Sequence, residues 1–182
     1  MSFKYSSPDA CFSCKLVCKR CTADTKTGAQ CARTTRKQLP YCFQHTRSLS
    51  HLDLRPSTLP GAGTGVFALK TFEPNEEIVT YTGEVLTKDE IEARYGQDTA
   101  PYALRINRNH FIDAACARGT GSLINTNPGH NNARFKVSRT GKASIIATRR
   151  IPSGSELFVD YGPRADALIA PEPSISYSTS SR

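Results

Sequence analysis

No apolar run in this 182-residue chain approaches the ~20 residues of a membrane-spanning helix, so no bilayer is expected as a partner. The opening MSFKYSSPDA lacks the apolar core of a secretory leader, and residence inside a cell is the expectation. Acidic residues are scarce at the front: residues 1–50 hold two Asp/Glu against nine Lys/Arg, whereas 51–182 hold fourteen against fifteen. The net charge of +8 therefore sits almost wholly in the first quarter of the chain. Cysteine is absent after Cys116, and six of the seven cysteines fall within the first 50 residues. Strand-like and helix-like patterns do not alternate and no segment repeats, which argues against a doubly wound parallel sheet. No His/Asp pair and no pair of carboxylates stands out as acid–base machinery.

What remains is an ordinary globular composition, 38% hydrophobic and 22% charged, with chain enough for one good-sized domain and a small appendage. The shift in charge and cysteine content places a boundary near residue 50. Within residues 1–50, closely spaced cysteines in an unsecreted chain read as metal ligands before disulfides. The stretch CTADTKTGAQCARTTRKQLPYCFQH supplies Cys21, Cys31, Cys42 and His45, the four thiolate and imidazole donors of a closed tetrahedral zinc site. Apolar content here is too low for a metal-free core, so Zn2+ would be structural. The segment resembles a small zinc module with three cysteines and one histidine as ligands. Two other readings stay open: a second zinc using Cys11, Cys14 and Cys18 with Cys21, and a metal-free cysteine-bearing tail. The positive charge suits non-specific contact with nucleic-acid phosphates or an acidic protein surface, and no helix is patterned for base readout.

Residues 51–163 read as a mostly β domain of several small sheets. Short runs such as GVFALK, IVTY, YALRI, HFID, ARFKVS, ASIIATRRI and ELFVDY are separated by turn chemistry at EPNEE, INRNH, RTGK and PSGSE. One helix is expected at 87–96, opened by a Thr87/Glu90 capping box and closed by Gly96. The Pro/Ser-rich stretch 164–182 reads as a flexible tail. GTGVFA at 63–68 matches a dinucleotide fingerprint, but the glycines lead into a β-branched and aromatic run instead of a helix, and that reading fails.

Four segments, GAGTGVFA (61–68), YTGEV (81–85), SLINTNPGHNN (122–132) and ELFVDYG (156–162), stand in an order and spacing that resemble the SET domain. This is the fold of protein lysine methyltransferases, and the resemblance covers about residues 52–163. It implies a β-clip fold with a pseudoknot, in which the Asn-led segment threads under the strand ending in Asp160-Tyr161, beside S-adenosylmethionine. By the same resemblance Gly63 and Gly65 bring main chain to the cofactor, with Tyr102, Asn125 and Thr126 also against it, and Asn131 helps to hold the threaded loop. Tyr161 is the implied catalytic tyrosine and Tyr81 lines the lysine channel beside it. Val159 stands where Phe or Tyr often limits room around the amine, which implies di- or trimethylation. Glu84 is expected to tie strands together, and His110 and His130 to be turn residues.

The chain departs from the family's Asn-His-Ser-Cys-x-x-Asn pattern, with Thr126, Asn127 and Pro128 in the middle positions. The departure bears on cofactor affinity more than on fold, since Pro128 removes a donor. The cysteine cluster that closes the lysine channel in many relatives is also absent, which leaves closure to GPRADALIAPEP, to another chain or to the substrate. The implied activity is methylation of histone tails or nucleosomes, with a nuclear location. The competing readings are a SET-fold binding module for chromatin or another protein, and a bare structural role.

Overall fold

The computed structural model describes residues 2–35, 39–96 and 100–162; the tail expected at 164–182 lies outside them. Strands β1 (Ser2–Ser6) and β2 (Cys11–Lys15) form an antiparallel hairpin. Its alternating sequence puts Phe3, Tyr5 and Phe12 on one face, where they pack with Tyr95 and Tyr102 of the larger domain. A disulfide joins Cys14 of β2 to Cys116, 102 residues away, and Cys11 and Cys18 remain free and exposed.

After the cysteine-rich loops comes α1 (Phe43–Ser50), a helix the sequence reading did not expect. It packs on β3 (Leu52–Pro56), which pairs antiparallel with β4 (Thr64–Ala68). Next follow β5 (Glu77–Thr80), β6 (Glu84–Thr87) and α2 (Lys88–Tyr95). The expected capping box is present: Thr87 Oγ1 accepts from the Glu90 N–H, while the Glu90 carboxylate accepts from the Thr87 N–H at 2.8 Å. Gly96 ends the helix at φ +71°, a conformation few other residues adopt.

The remaining strands are β7 (Ala103–Arg105), β8 (His110–Asp113), β9 (Ala133–Val137) and β10 (Ala143–Ala147), with a 3-10 turn at Thr120–Leu123. They complete two three-stranded antiparallel sheets, ordered β5-β10-β9 and β6-β8-β7. The ASIIA run of β10 is buried at every position because it is the central strand with protein on both faces. Leu52, Val66, Ile112, Ile124, Ile145, Leu157 and Val159 meet in the main core, to which three of the four sheets contribute, and the β1-β2 hairpin packs in a second cluster around Tyr95. The result is the mostly β arrangement of small sheets that the sequence implied. Among the described residues no helix is long and apolar enough to cross a membrane.

Candidate functional site

The asparagine-rich segment ends as a clasp. The extended segment at 156–159 makes isolated parallel bridges with Asn125 through Phe158 and with Ala133 through Val159, so both ends of the asparagine-rich segment flank it. Asn132, buried in this clasp, uses both halves of its amide: Nδ2 donates to the Glu156 carbonyl at 2.8 Å, and Oδ1 accepts from the Phe158 N–H at 2.9 Å. Asn131 holds the loop only indirectly, accepting from the Asn127 N–H at 2.8 Å. Between them the His130 N–H donates to the Asn127 carbonyl at 2.8 Å, with Gly129 at φ +80°. That is the geometry of a turn whose second position suits proline and needs no N–H there. The Pro128 departure is thus accommodated by a local turn.

The clasp collects residues that lie far apart in sequence. The Val159 N–H donates to the Asn125 carbonyl at 2.9 Å, and Asn125 Nδ2 donates to the Thr64 carbonyl at 3.2 Å, between Gly63 and Gly65. Tyr161 donates its hydroxyl proton to the Ile124 carbonyl at 2.7 Å, although the residue as a whole is 42% exposed. Tyr81 is buried, stands edge-on to Phe135 and donates to the Tyr102 carbonyl at 2.7 Å. Thr126 follows Asn125 half-buried, and Val159 is fully buried. Gly63, Gly65, Asn125, Thr126, Val159 and Tyr161 therefore form one neighbourhood, and Tyr81 with Tyr102 a second. Electrostatics links the two: Tyr102 acts on the Tyr161 hydroxyl, and Tyr161 on that of Tyr81.

Burial raises the pKa of the Tyr81 hydroxyl far above the ordinary phenol value, helped by Tyr161, Asp113 and Tyr102 and opposed by Arg118. Burial raises that of Tyr161 likewise, with Tyr102 adding to it. Both hydroxyls are neutral at physiological pH. Each commits its proton to a carbonyl and keeps its oxygen lone pairs.

Three supporting residues escaped the sequence reading. Glu156 is buried, with Oε1 accepting from Ser57 Oγ at 2.6 Å and Oε2 accepting from the Thr58 N–H at 2.7 Å and Thr58 Oγ1 at 2.5 Å. It braces the turn that leads into Gly63. Asp113 is wholly buried and accepts from the Tyr95 hydroxyl at 2.7 Å and Arg94 at 3.0 Å, while Arg94 also meets Glu84 at 2.7 Å. Glu84 thus ties β6 to α2, as a structural residue. Arg118 is buried against the Tyr102 ring, its guanidinium carbon 4.5 Å from the centroid.

Cys21, Cys31, Cys42 and His45 also come together, their ligand atoms all within 4.8 Å of one another. Tetrahedral zinc with Zn–S near ~2.3 Å sets sulfurs about 3.8 Å apart, and this cluster is of that size. The imidazole Nδ1 of His45 lies 3.3 Å from Cys21 Sγ and 3.5 Å from Cys42 Sγ. Helix α1 explains the Cys42-x-x-His45 spacing: its N-cap and first turn place both ligands on one side.

A family profile described as SET domain matches residues 63–162. The chain belongs to the SET-domain family. Histone-lysine N-methyltransferase 2D of human and of mouse is 32% identical over 105 residues, which is 54% of this chain but 2% of theirs. N-lysine methyltransferase KMT5A-B of Xenopus laevis is 32% identical over 124 residues, 62% of this chain and 37% of its own. This SET-domain protein thus spans well under half the length of these relatives. A structure of ctPRC2 in an autoinhibited conformation bound to S-adenosylmethionine matches with a TM-score of 0.52 at 25% identity, covering 66% of this chain and 16% of that one. The crystal structure of the Chaetomium thermophilum polycomb repressive complex 2 matches at 0.51 and 26%, covering 61% of this chain and 15% of that one. The curated relatives that the SET-domain protein matches are lysine methyltransferases by name.

Proposed function

We propose that this SET-domain protein is an S-adenosylmethionine-dependent protein lysine N-methyltransferase acting on histone tails. The observation that carries the reading is the clasp. It seats Gly63–Gly65, Asn125 and the Tyr161 hydroxyl in one neighbourhood that the sequence spreads over about 100 residues.

The residues present fit the cofactor. Gly63 is exposed and nothing lies within 4 Å of where a Cβ would stand, Gly65 is buried against Glu156, and Asn125 Oδ1 has no hydrogen-bond donor among the described residues. S-Adenosylmethionine supplies, when bound, an electrophilic methyl group on a sulfonium. The protein's task is to align a neutral lysine amine with it and to exclude water. Orientation of this kind removes roughly 7–11 kcal/mol of barrier in well-aligned systems. Tyr161 and Tyr81 suit that task, because each has spent its proton on a carbonyl and presents oxygen lone pairs that can hold the amine. No general base is required at the methyl group, consistent with the lack of a His/Asp pair. Val159 leaves more room than Phe or Tyr beside the amine, and we read the product as di- or trimethyllysine. Product that stops at monomethyl, seen by mass spectrometry, would overturn that detail.

Zn2+ fits the three thiolates and one imidazole as a closed structural site, which leaves no position open for chemistry. We place the basic residues around it against nucleosomal DNA or an acidic protein surface, and the protein in a nucleus. We keep a boundary near residue 50 for the zinc-binding loops, while the hairpin at 2–15 packs against the SET domain and is tied to it by the Cys14–Cys116 disulfide.

The test is transfer of labelled methyl from S-adenosylmethionine to core histones and nucleosomes, beside Tyr161→Phe. Label that appears on a histone and is lost in the variant supports the reading. Bound cofactor without label on histones moves the substrate to another protein class. Neither label nor cofactor binding would leave a SET-fold binding module in its place.

A further inference from the structure

Arg118 is the single buried Lys or Arg among the described residues, 8% exposed, and it has no carboxylate partner there. Arg94 shows the contrast, because it meets both Glu84 and Asp113. The Nε–H of Arg118 donates to the Ala115 carbonyl at 3.2 Å, and its terminal amino groups have no hydrogen-bond partner among the described residues. The guanidinium carbon stands 4.5 Å from the Tyr102 ring centroid and 5.9 Å from that of Phe3. A buried charge without a counter-ion is costly, and stacking on rings offsets only part of that cost. Its terminal nitrogens are not sealed from solvent, and they are free to take an anion that the protein itself does not supply.

The ligand proposed for this neighbourhood carries one. The methionine end of S-adenosylmethionine bears an α-carboxylate, whose two oxygens match the fork of a guanidinium. Arg118 lies on Tyr102, one of the residues read as facing the cofactor, and precedes Asn125 by seven positions. Its charge also acts on the Tyr81 hydroxyl, which sets it beside the tyrosine pair. Resting on the methyltransferase reading, we infer that Arg118 is a cofactor-binding residue whose free guanidinium nitrogens hold the carboxylate of S-adenosylmethionine. A residue that merely staples Phe3 to Tyr102 would show the same stacking, so the test must address the carboxylate itself.

Calorimetry on the zinc-loaded full chain compares S-adenosylmethionine with its decarboxylated analogue, which keeps the sulfonium and the amine. The wild type should bind the parent about 10- to 100-fold more tightly, the range expected of a charge-assisted hydrogen-bonded pair. In Arg118→Gln that preference should collapse, with the parent weakened about 10- to 100-fold and the analogue nearly unchanged. Arg118→Lys keeps charge without the fork, is the safer variant for folding, and should retain a reduced preference. If the wild type does not distinguish the two ligands, or Arg118→Gln and Arg118→Lys weaken both equally, the assignment of Arg118 is wrong and its role is packing alone. If the wild type binds neither ligand, the methyltransferase reading falls, and this inference with it.

Discussion

Replacing Gly65 with alanine should destabilise the protein through a single carboxylate. An added Cβ would lie 2.2 Å from Glu156 Oε1, 2.9 Å from its Cδ and 3.0 Å from Ser57 Cα. Gly65 does not occupy the left-handed region, so the effect is one of space and not of backbone conformation. Glu156 cannot simply swing aside, because it accepts from Ser57 Oγ, the Thr58 N–H and Thr58 Oγ1. Overpacking costs about 1–3 kcal/mol, and each hydrogen bond to a charged group that is lost adds about 1.5–3 kcal/mol. With partial release of the Ser57/Thr58 contacts we expect about 3 kcal/mol for Gly65→Ala. Glu156→Ala alone should cost about 2–3 kcal/mol, since Ser57 is only partly buried, Thr58 is exposed, and water can replace the carboxylate. In the Glu156→Ala background the carboxylate clash is gone and only the 3.0 Å approach to Ser57 Cα remains, so Gly65→Ala should then cost about 1 kcal/mol, which makes the coupling about 2 kcal/mol. Urea unfolding of the wild type, both single variants and the double variant, at constant m, measures it. Additivity within about 0.5 kcal/mol would refute the reasoning, because Glu156 would then not be what excludes a side chain at Gly65.

Asn132→Ala leaves the Glu156 carbonyl and the Phe158 N–H without partners inside the clasp. At about 1–3 kcal/mol for each buried group, thermal unfolding should show a loss of about 2–6 kcal/mol. Cys14→Ser opens a link across 102 residues. The chain-entropy treatment puts its contribution at about 4.7 kcal/mol at most, and unfolding with and without reductant should converge on the variant's value. Metal analysis should find one zinc per chain, and Cys42→Ser or chelation should expose buried thiols of the 21–45 segment to a thiol reagent. Tyr81, Tyr95 and Tyr161 have hydroxyl pKa values raised mainly by burial. Above about pH 10 the unfolded chain loses these protons while the folded chain keeps them, so stability holds below that pH and falls as pH climbs beyond it. Melting curves from pH 8 to 11 should fall less steeply for Tyr95→Phe.

Local chemistry made parts of the fold legible. The capping box of α2 is contained in four consecutive residues, and β10 announces itself as a five-residue run that is apolar except for Ser144. The four zinc-type ligands could be chosen because Cys42 and His45 share a spacing that one helical turn satisfies. The hairpin of β1 and β2 was hidden, because its aromatic face is matched by Tyr95 and Tyr102 far along the chain. Cysteine spacing drew attention to metal and gave no hint that Cys14 pairs with Cys116. In the clasp, the sequence offers two adjacent asparagines, and only the register of the extended segment at 156–159 decides that Asn132, not Asn131, grips it. Glu156 and Arg118 were passed over for a related reason. A charged residue in sequence reads as surface until tertiary packing buries it.

The account turns on where the cofactor sits, and a crystal structure of the protein with S-adenosylhomocysteine tests that most directly. The prediction is a ligand between Gly63–Gly65 and Asn125–Thr126, with its carboxylate on Arg118 and its sulfur facing Tyr161. A ligand bound elsewhere, or a site that stays empty at saturating concentration while the clasp is intact, would contradict it.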